Sequence, residues 1–211
     1  MKGTFITFEG SDGAGKTTVL KRVLRVIRPR LGSRLLMTRE PGGNPIAEAI
    51  RNVILNRHNV KMDAKTEALL YAAARRQHVV QNILPALKRG RLVLCDRYTD
   101  SSIAYQGAGR KLGLQAVQRL NDYSTGGLVP DLTIYFDVPV KVGLTRIQRH
   151  RQNDIDRLDR ENPVFHQRVH AAYQRLAADH PNRIKVINAN RPVDRVVASV
   201  LRLLKSRGPY L

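Results

Sequence analysis

The chain has 211 residues, 42% hydrophobic and 26% charged, with 37 Lys and Arg against 17 Asp and Glu and one cysteine. That length suits a single domain with a conventional buried core; the hydrophobic fraction excludes compositional disorder, and Cys95 alone can build neither a disulfide framework nor a cysteine-based zinc cluster. The formal charge of +20 points to anionic partners: nucleic acid, an anionic membrane surface or phosphorylated small molecules.

Thr4 to Phe8 reads as a strand that runs into a glycine cluster. Val19, Leu20, Val23, Leu24 and Ile27 mark one face of a helix that Pro29 is expected to stop. Leu35 to Met37 is a short strand, and Arg39 to Gly43 a loop. Ile46, Ile50, Val53 and Ile54 form a second amphipathic helix. A longer one runs from about Asp63 to Leu84, with a kink expected at Pro85 and an end at Gly90. Leu92 to Cys95 is apolar throughout, Leu132 to Phe136 is apolar but for Thr133, and the two runs end in Asp96 and Asp137. Central parallel strands need such runs, because helices cover both of their faces. Ile184 to Ile187 supplies a last strand, and Val196, Val197, Val200, Leu201 and Leu204 a closing helix. The order predicts an α/β fold, a doubly wound parallel sheet with helices on both faces, over one domain spanning residues 1–211. Only residues 146–162, dense in Arg and Asp, break the pattern; they read as an exposed, mobile basic lid. No apolar run approaches the ~18–20 residues of a membrane span, and Met1-Lys2-Gly3 leads straight into a strand pattern, so a soluble, cytoplasmic protein with no membrane role is expected.

Gly10-Ser11-Asp12-Gly13-Ala14-Gly15-Lys16-Thr17, with Thr18 behind it, satisfies G-x-x-x-x-G-K-[ST] between a strand and a helix. Glycines let the backbone wrap with its N–H groups turned toward phosphate oxygens, and the helix start adds its positive dipole end. Lys16 is expected to reach the β- and γ-phosphates of ATP, and the Thr17 hydroxyl to hold Mg²⁺. The rival dinucleotide pattern fails, since the glycine it needs at position 18 is threonine. The guanine-specifying N-K-x-D of many GTPases is absent, and helicases and transporters usually need longer chains. A small P-loop NTPase that transfers phosphate to an acceptor remains.

Further blocks follow in order: Thr38 to Gly43, Glu67 to Arg76, Cys95-Asp96-Arg97-Tyr98 with Asp100 to Ser102, Ala104 to Gly107, Pro130 to Thr133, and Arg157-Leu158-Asp159. With them the whole chain resembles the bacterial thymidylate kinases, P-loop enzymes that pass a phosphoryl group from ATP to dTMP. The resemblance implies Arg97 and Arg51 on the dTMP phosphate, with Arg39 a weaker candidate and Glu40 on the same substrate side. It implies Asp96 orienting Mg²⁺ or its waters beside Thr17; as a bare residue Asp96 could equally cap a helix. Asp12 would reach toward the nucleotide's 3′-hydroxyl and the metal, whereas Glu9 reads as structural. Tyr71 would stack on thymine, although alone among alanines it reads as a core aromatic. Arg75 would bond a base carbonyl, Ser102 and Gln106 would lie on the pyrimidine edge, and Tyr105 under the sugar. Gly13 leaves the phosphate loop without the arginine that some members carry there, so lid closure is expected to deliver Arg157, or else Arg151, onto the ATP phosphates. The family is usually homodimeric. The alternatives are a kinase for another nucleoside monophosphate or a deoxynucleoside, and a nucleic-acid-binding ATPase. The last draws on the run from Asp12 to Glu40, in which every charge between the two is basic. The absence of tryptophan and only 5% aromatics speak against nucleic acid as the primary partner.

Overall fold

The computed structural model describes residues 3–150, 157–158 and 161–206. Strands β1 (Thr4–Glu9), β2 (Leu35–Arg39), β3 (Leu92–Asp96), β4 (Leu132–Asp137) and β5 (Ile184–Asn188) form one sheet in the order β2-β3-β1-β4-β5, and every pairing is parallel. β1 is central, with Thr7 in register with Cys95 on one side and Thr133 on the other. Its alternating side chains supply two cores. Ile6 and Phe8 pack under α1 (Lys16–Leu31) and α9 (Val193–Lys205). On the opposite face Phe5 packs with Val93, Cys95, Val79 and Ile83. A third cluster joins Tyr135 to α8 (Pro163–Asp179) through Tyr173, Phe165 and Val169. The doubly wound parallel sheet is thus as expected.

Three elements differ from the sequence expectation. α1 continues through Pro29 to Leu31 and ends at Gly32, whose N–H donates to the Arg28 carbonyl. A proline in the last turn removes one internal hydrogen bond where the helix is about to stop anyway. The long helix begins at a cap by Asp63 and runs as α3 (Ala64–His78), widens into a π turn over Val79–Ile83, and resumes as α4 (Leu84–Lys88). The Leu84 N–H reaches back five residues to the Val79 carbonyl. The widening accommodates Pro85, which lacks an N–H, and Gly90 follows at φ +71°. The expected lid is partly helix: α7 (Val140–His150) absorbs its first five residues. Two further helices are the capped α2 (Pro45–Leu55), matching the second amphipathic pattern, and α6 (Leu114–Thr125). Between β3 and α6 the chain forms one turn, α5 (Thr99–Ser102), and a second π segment over Ile103–Gly109.

Candidate active site

A cleft of about 660 Å³ opens at the carboxyl ends of β1, β2 and β3, where ligands of such sheets bind. The loop joining β1 to α1 forms one wall, from Asp12 to Thr18. Gly13 adopts φ +73°, and a Cβ there would stand 2.1 Å from the Gly143 carbonyl oxygen of α7. No side chain fits, so this loop has no room for an arginine at that position. Lys16 is buried and curls over its own loop, donating to the Gly10 and Ser11 carbonyls at 2.8 and 3.1 Å. Burial, helped by the neighbouring Arg97 charge, pushes its pKa down to about 8. Thr17 lies exposed in the same wall, and Asp96 at the end of β3 lines the cleft with it. Asp96 Oδ1 is buried with no hydrogen-bond partner among the described residues, and it caps no helix: the nearest turn, α5, starts at Thr99.

Arg97 joins the two halves of the cleft. Nη1 donates to the Gly10 carbonyl at 2.9 Å, Nη2 donates to Asp12 Oδ1 at 2.7 Å, and the guanidinium lies 5.0 Å over the Tyr105 ring. Tyr105 Oη in turn donates to Asp12 Oδ2 at 2.6 Å. The Arg97 backbone is at φ +68°, a left-handed conformation a non-glycine residue adopts at a cost of about 1–2 kcal/mol. Such strain persists where the surroundings impose it, commonly at functional sites. Opposite the loop stand Arg51, whose Nη1 donates to the Pro41 carbonyl at 2.9 Å, and Tyr71, half-buried in the wall.

Behind them is a buried polar frame. Arg75 donates to Glu40 Oε2 at 2.7 Å, Asn121 Oδ1 at 2.8 Å and Ser102 Oγ at 2.8 Å. Glu40 also meets His78 Nδ1 at 3.0 Å, and His78 Nε2 meets Thr38 Oγ1 at 2.6 Å. Arg75, Glu40 and Ser102 therefore line the cleft as one bonded set. Tyr105 and Gln106 enter from the π segment, whose widened turn directs consecutive side chains into the cavity.

Arg39 lines the cleft but pairs with Glu48 at 2.9 Å. Arg157 departs from expectation: it is buried, donating through Nη2 to Glu67 and through Nε to the Ile54 carbonyl at 3.0 Å, and it is not a cleft-lining residue. Its acidic partner lies ninety residues away, out of reach of any local reading. Leu158 is also buried, so residues 157 and 158 are not the exposed lid foreseen. Arg151 lies outside the described residues. Arg146, at the edge of the expected lid, instead lines the cleft, donating to the Gly13 and Ala189 carbonyls at 3.3 Å. The amphipathic register of 140–150 was the available signal.

Glu9 is structural. Its buried carboxyl accepts from the Tyr98 N–H and the Ser101 and Tyr173 hydroxyls. Burial, with the nearby Asp100 carboxylate, raises its pKa from 4.5 to about 7. A raised folded-state value stabilises the fold fully below the unfolded pKa, and that contribution is lost as pH rises through the folded one. Relative to Glu9→Gln, the ligand-free wild type should therefore gain melting temperature by several degrees from about pH 8 down to pH 5. Scanning calorimetry across that window checks it; a difference independent of pH would contradict it.

The thymidylate kinase family model matches residues 8–200. A thymidylate kinase of Lactiplantibacillus plantarum is 60% identical over 209 residues, covering 99% of this chain and 95% of that protein. The Levilactobacillus brevis thymidylate kinase is 59% identical over 206 residues, with 97% and 96% coverage. That of Enterococcus faecalis is 54% identical over 209 residues, with 99% of each covered. With the phosphate loop, the arginine-bridged cleft and near-complete coverage in agreement, the chain belongs to the thymidylate kinase family.

Proposed function

We propose that this protein transfers the γ-phosphoryl group of ATP to the phosphate of dTMP, giving dTDP and ADP. The observation that carries this reading is the position of Arg97, which touches the phosphate loop through Gly10 and the acceptor half through Tyr105 in a single cleft. A dTMP phosphate is mostly dianionic at neutral pH, so it is already a nucleophile and needs no strong general base. One of its oxygens forms the new bond to the γ-phosphorus while the bond to the leaving ADP oxygen breaks, and ADP departs with that electron pair. What obstructs the reaction is bringing two polyanions together, so catalysis is positioning and charge stabilisation. Arg97 and Arg51 hold the acceptor phosphate, bidentate contacts fixing its direction. Lys16 leaves its carbonyl partners for the ATP phosphates. Tyr71 stacks on the base, with Arg75, Ser102 and Gln106 along its edge. Tyr105, pinned by Asp12 and Arg97, sits where a ribose 2′-hydroxyl would intrude.

The residues also suit Mg²⁺. Among the described residues no group of three acidic, His or Cys side chains could cage a metal. Mg²⁺ needs no such cage beside nucleotides, taking one or two protein oxygens with phosphates and water. Thr17 and the unpartnered oxygen of Asp96 would hold it or its waters, where it supplies neutralising charge to the phosphates. Pairing of two copies belongs to the same reading. Ile46 and Val53 on α2, Leu69 on α3 and Val80 in the first π turn are exposed apolar side chains, and sedimentation of the purified protein tests whether it dimerises.

Arginines facing an acceptor phosphate favour a monophosphate over a nucleoside, whose hydroxyl would need a base. A coupled assay across dTMP, dUMP, dCMP, UMP and dGMP tests the acceptor. The highest kcat/KM is expected with dTMP, and a higher value with any of the other four would overturn the assignment.

A further inference from the structure

Glu67, fully buried on α3, stands one and two turns before Tyr71 and Arg75, and so on the same side of the helix. Its oxygens accept from three side chains: Gln106 Nε2 at 2.8 Å, Arg110 Nε at 3.1 Å and Arg157 Nη2 at 2.5 Å. Arg110 Nη1 also donates to Glu161 at 2.6 Å, so two guanidiniums meet two carboxylates and the cluster is balanced. Burial alone would raise the Glu67 pKa, but hydrogen bonds from Arg110 and Gln106 and the charge of Arg110 hold it below the ordinary range. It is therefore ionised at neutral pH, and an ionised carboxylate can only accept. The Gln106 amide has one arrangement that satisfies it: NH₂ toward Glu67, leaving the carbonyl oxygen for the cleft that Gln106 lines.

We propose that Glu67 is a specificity-determining positioning residue, which fixes Gln106 with its acceptor toward the base and so selects pyrimidines carrying an N3–H over cytosine. This rests on the reading of that wall as the pyrimidine edge. Thymine and uracil present an imide N–H there; cytosine presents a lone pair, which a carbonyl oxygen repels. Arg110 and Arg157 belong to the device, because their hydrogen bonds keep Glu67 ionised and Arg157 ties the cluster to the end of α2 through Ile54.

The test is kcat/KM for dTMP and dCMP in the full-length enzyme, wild type against Glu67→Gln, Glu67→Asp and Gln106→Met. Glu67→Gln introduces a donor beside Gln106 and frees its amide to turn. Glu67→Asp keeps the charge the arginines need but withdraws the oxygen by one methylene, so it decides the matter should the first variant fail to fold. Both variants should lower the dTMP-to-dCMP ratio by about tenfold or more, the loss falling on dTMP. A merely structural Glu67 would lower both substrates together. A ratio within about twofold of wild type in the Glu67 variants, alongside a collapsed ratio in Gln106→Met, overturns the role of Glu67 and leaves the pyrimidine wall in place. A ratio preserved in Gln106→Met as well overturns that wall and the proposal with it.

Discussion

Arg97→Ala should lower kcat/KM for dTMP by about 10³-fold while leaving KM for ATP within about threefold. The guanidinium is the only described group that contacts both the Gly10 carbonyl of the phosphate loop and the Tyr105 ring of the acceptor half. Removing it takes away a fixed charge where charge is transferred, and it leaves Asp12 facing the cleft without that cation. One preorganised donor to a developing anion is worth about 10²–10³ in rate, and a charge-assisted bidentate contact adds to that. Arg97→Lys should recover less than about tenfold of the loss, because an ammonium cannot span Gly10, Asp12 and a phosphate from one planar fork. Steady-state kinetics with circular dichroism as a fold control measure both; an alanine variant within tenfold of wild type would remove Arg97 from the transfer step.

Asp96→Asn should reduce kcat by about 10²-fold, equivalent to about 2.7 kcal/mol, and raise the Mg²⁺ concentration for half-maximal rate. The same variant should not lower the melting temperature of the ligand-free protein. Asp96 Oδ1 has no hydrogen bond among the described residues to lose, and the desolvation cost of a buried unpaired oxygen offsets the support its charge gives Lys16 and Arg97. Activity lost without stability lost is the signature of a residue placed for a ligand rather than for the fold. If kcat and melting temperature fall together, Asp96 is structural.

What could be read from the sequence follows the range of each interaction. The phosphate loop was legible because its chemistry lies in contiguous backbone: glycines, one lysine and one hydroxyl between a strand and a helix. β3 and β4 were legible because they are buried on both faces and so nearly continuous in apolar residues, and β1 because a short β-favouring stretch runs straight into the glycine loop. Helices α6 and α8 emerge only in the structure. Arg51 and Arg75 were reached only through the family resemblance, since a lone arginine in so basic a chain has nothing local to distinguish it. The frame behind them, Glu40 to Arg75, His78 and Asn121, links residues 35 to 46 positions apart and has no spacing signature. Arg157 was misread for the same reason. Among so many basic and acidic neighbours it looked free to swing onto a phosphate, but Glu67, ninety positions earlier, holds it in the protein interior. Much of the basic run between Asp12 and Glu40 lies on the outer face of α1: Lys21, Arg22, Arg25, Arg28 and Arg30 are exposed, and Arg22 pairs with Asp194 of α9.

The most direct test of the whole reading is product analysis: purified protein with Mg²⁺ and ATP, given dTMP, single-stranded DNA or neither, and the nucleotides resolved by chromatography. Equal amounts of dTDP and ADP should accumulate with dTMP, and almost no ADP in the other two reactions. ADP formed on DNA alone, or ATP consumed with dTMP without dTDP appearing, would contradict it.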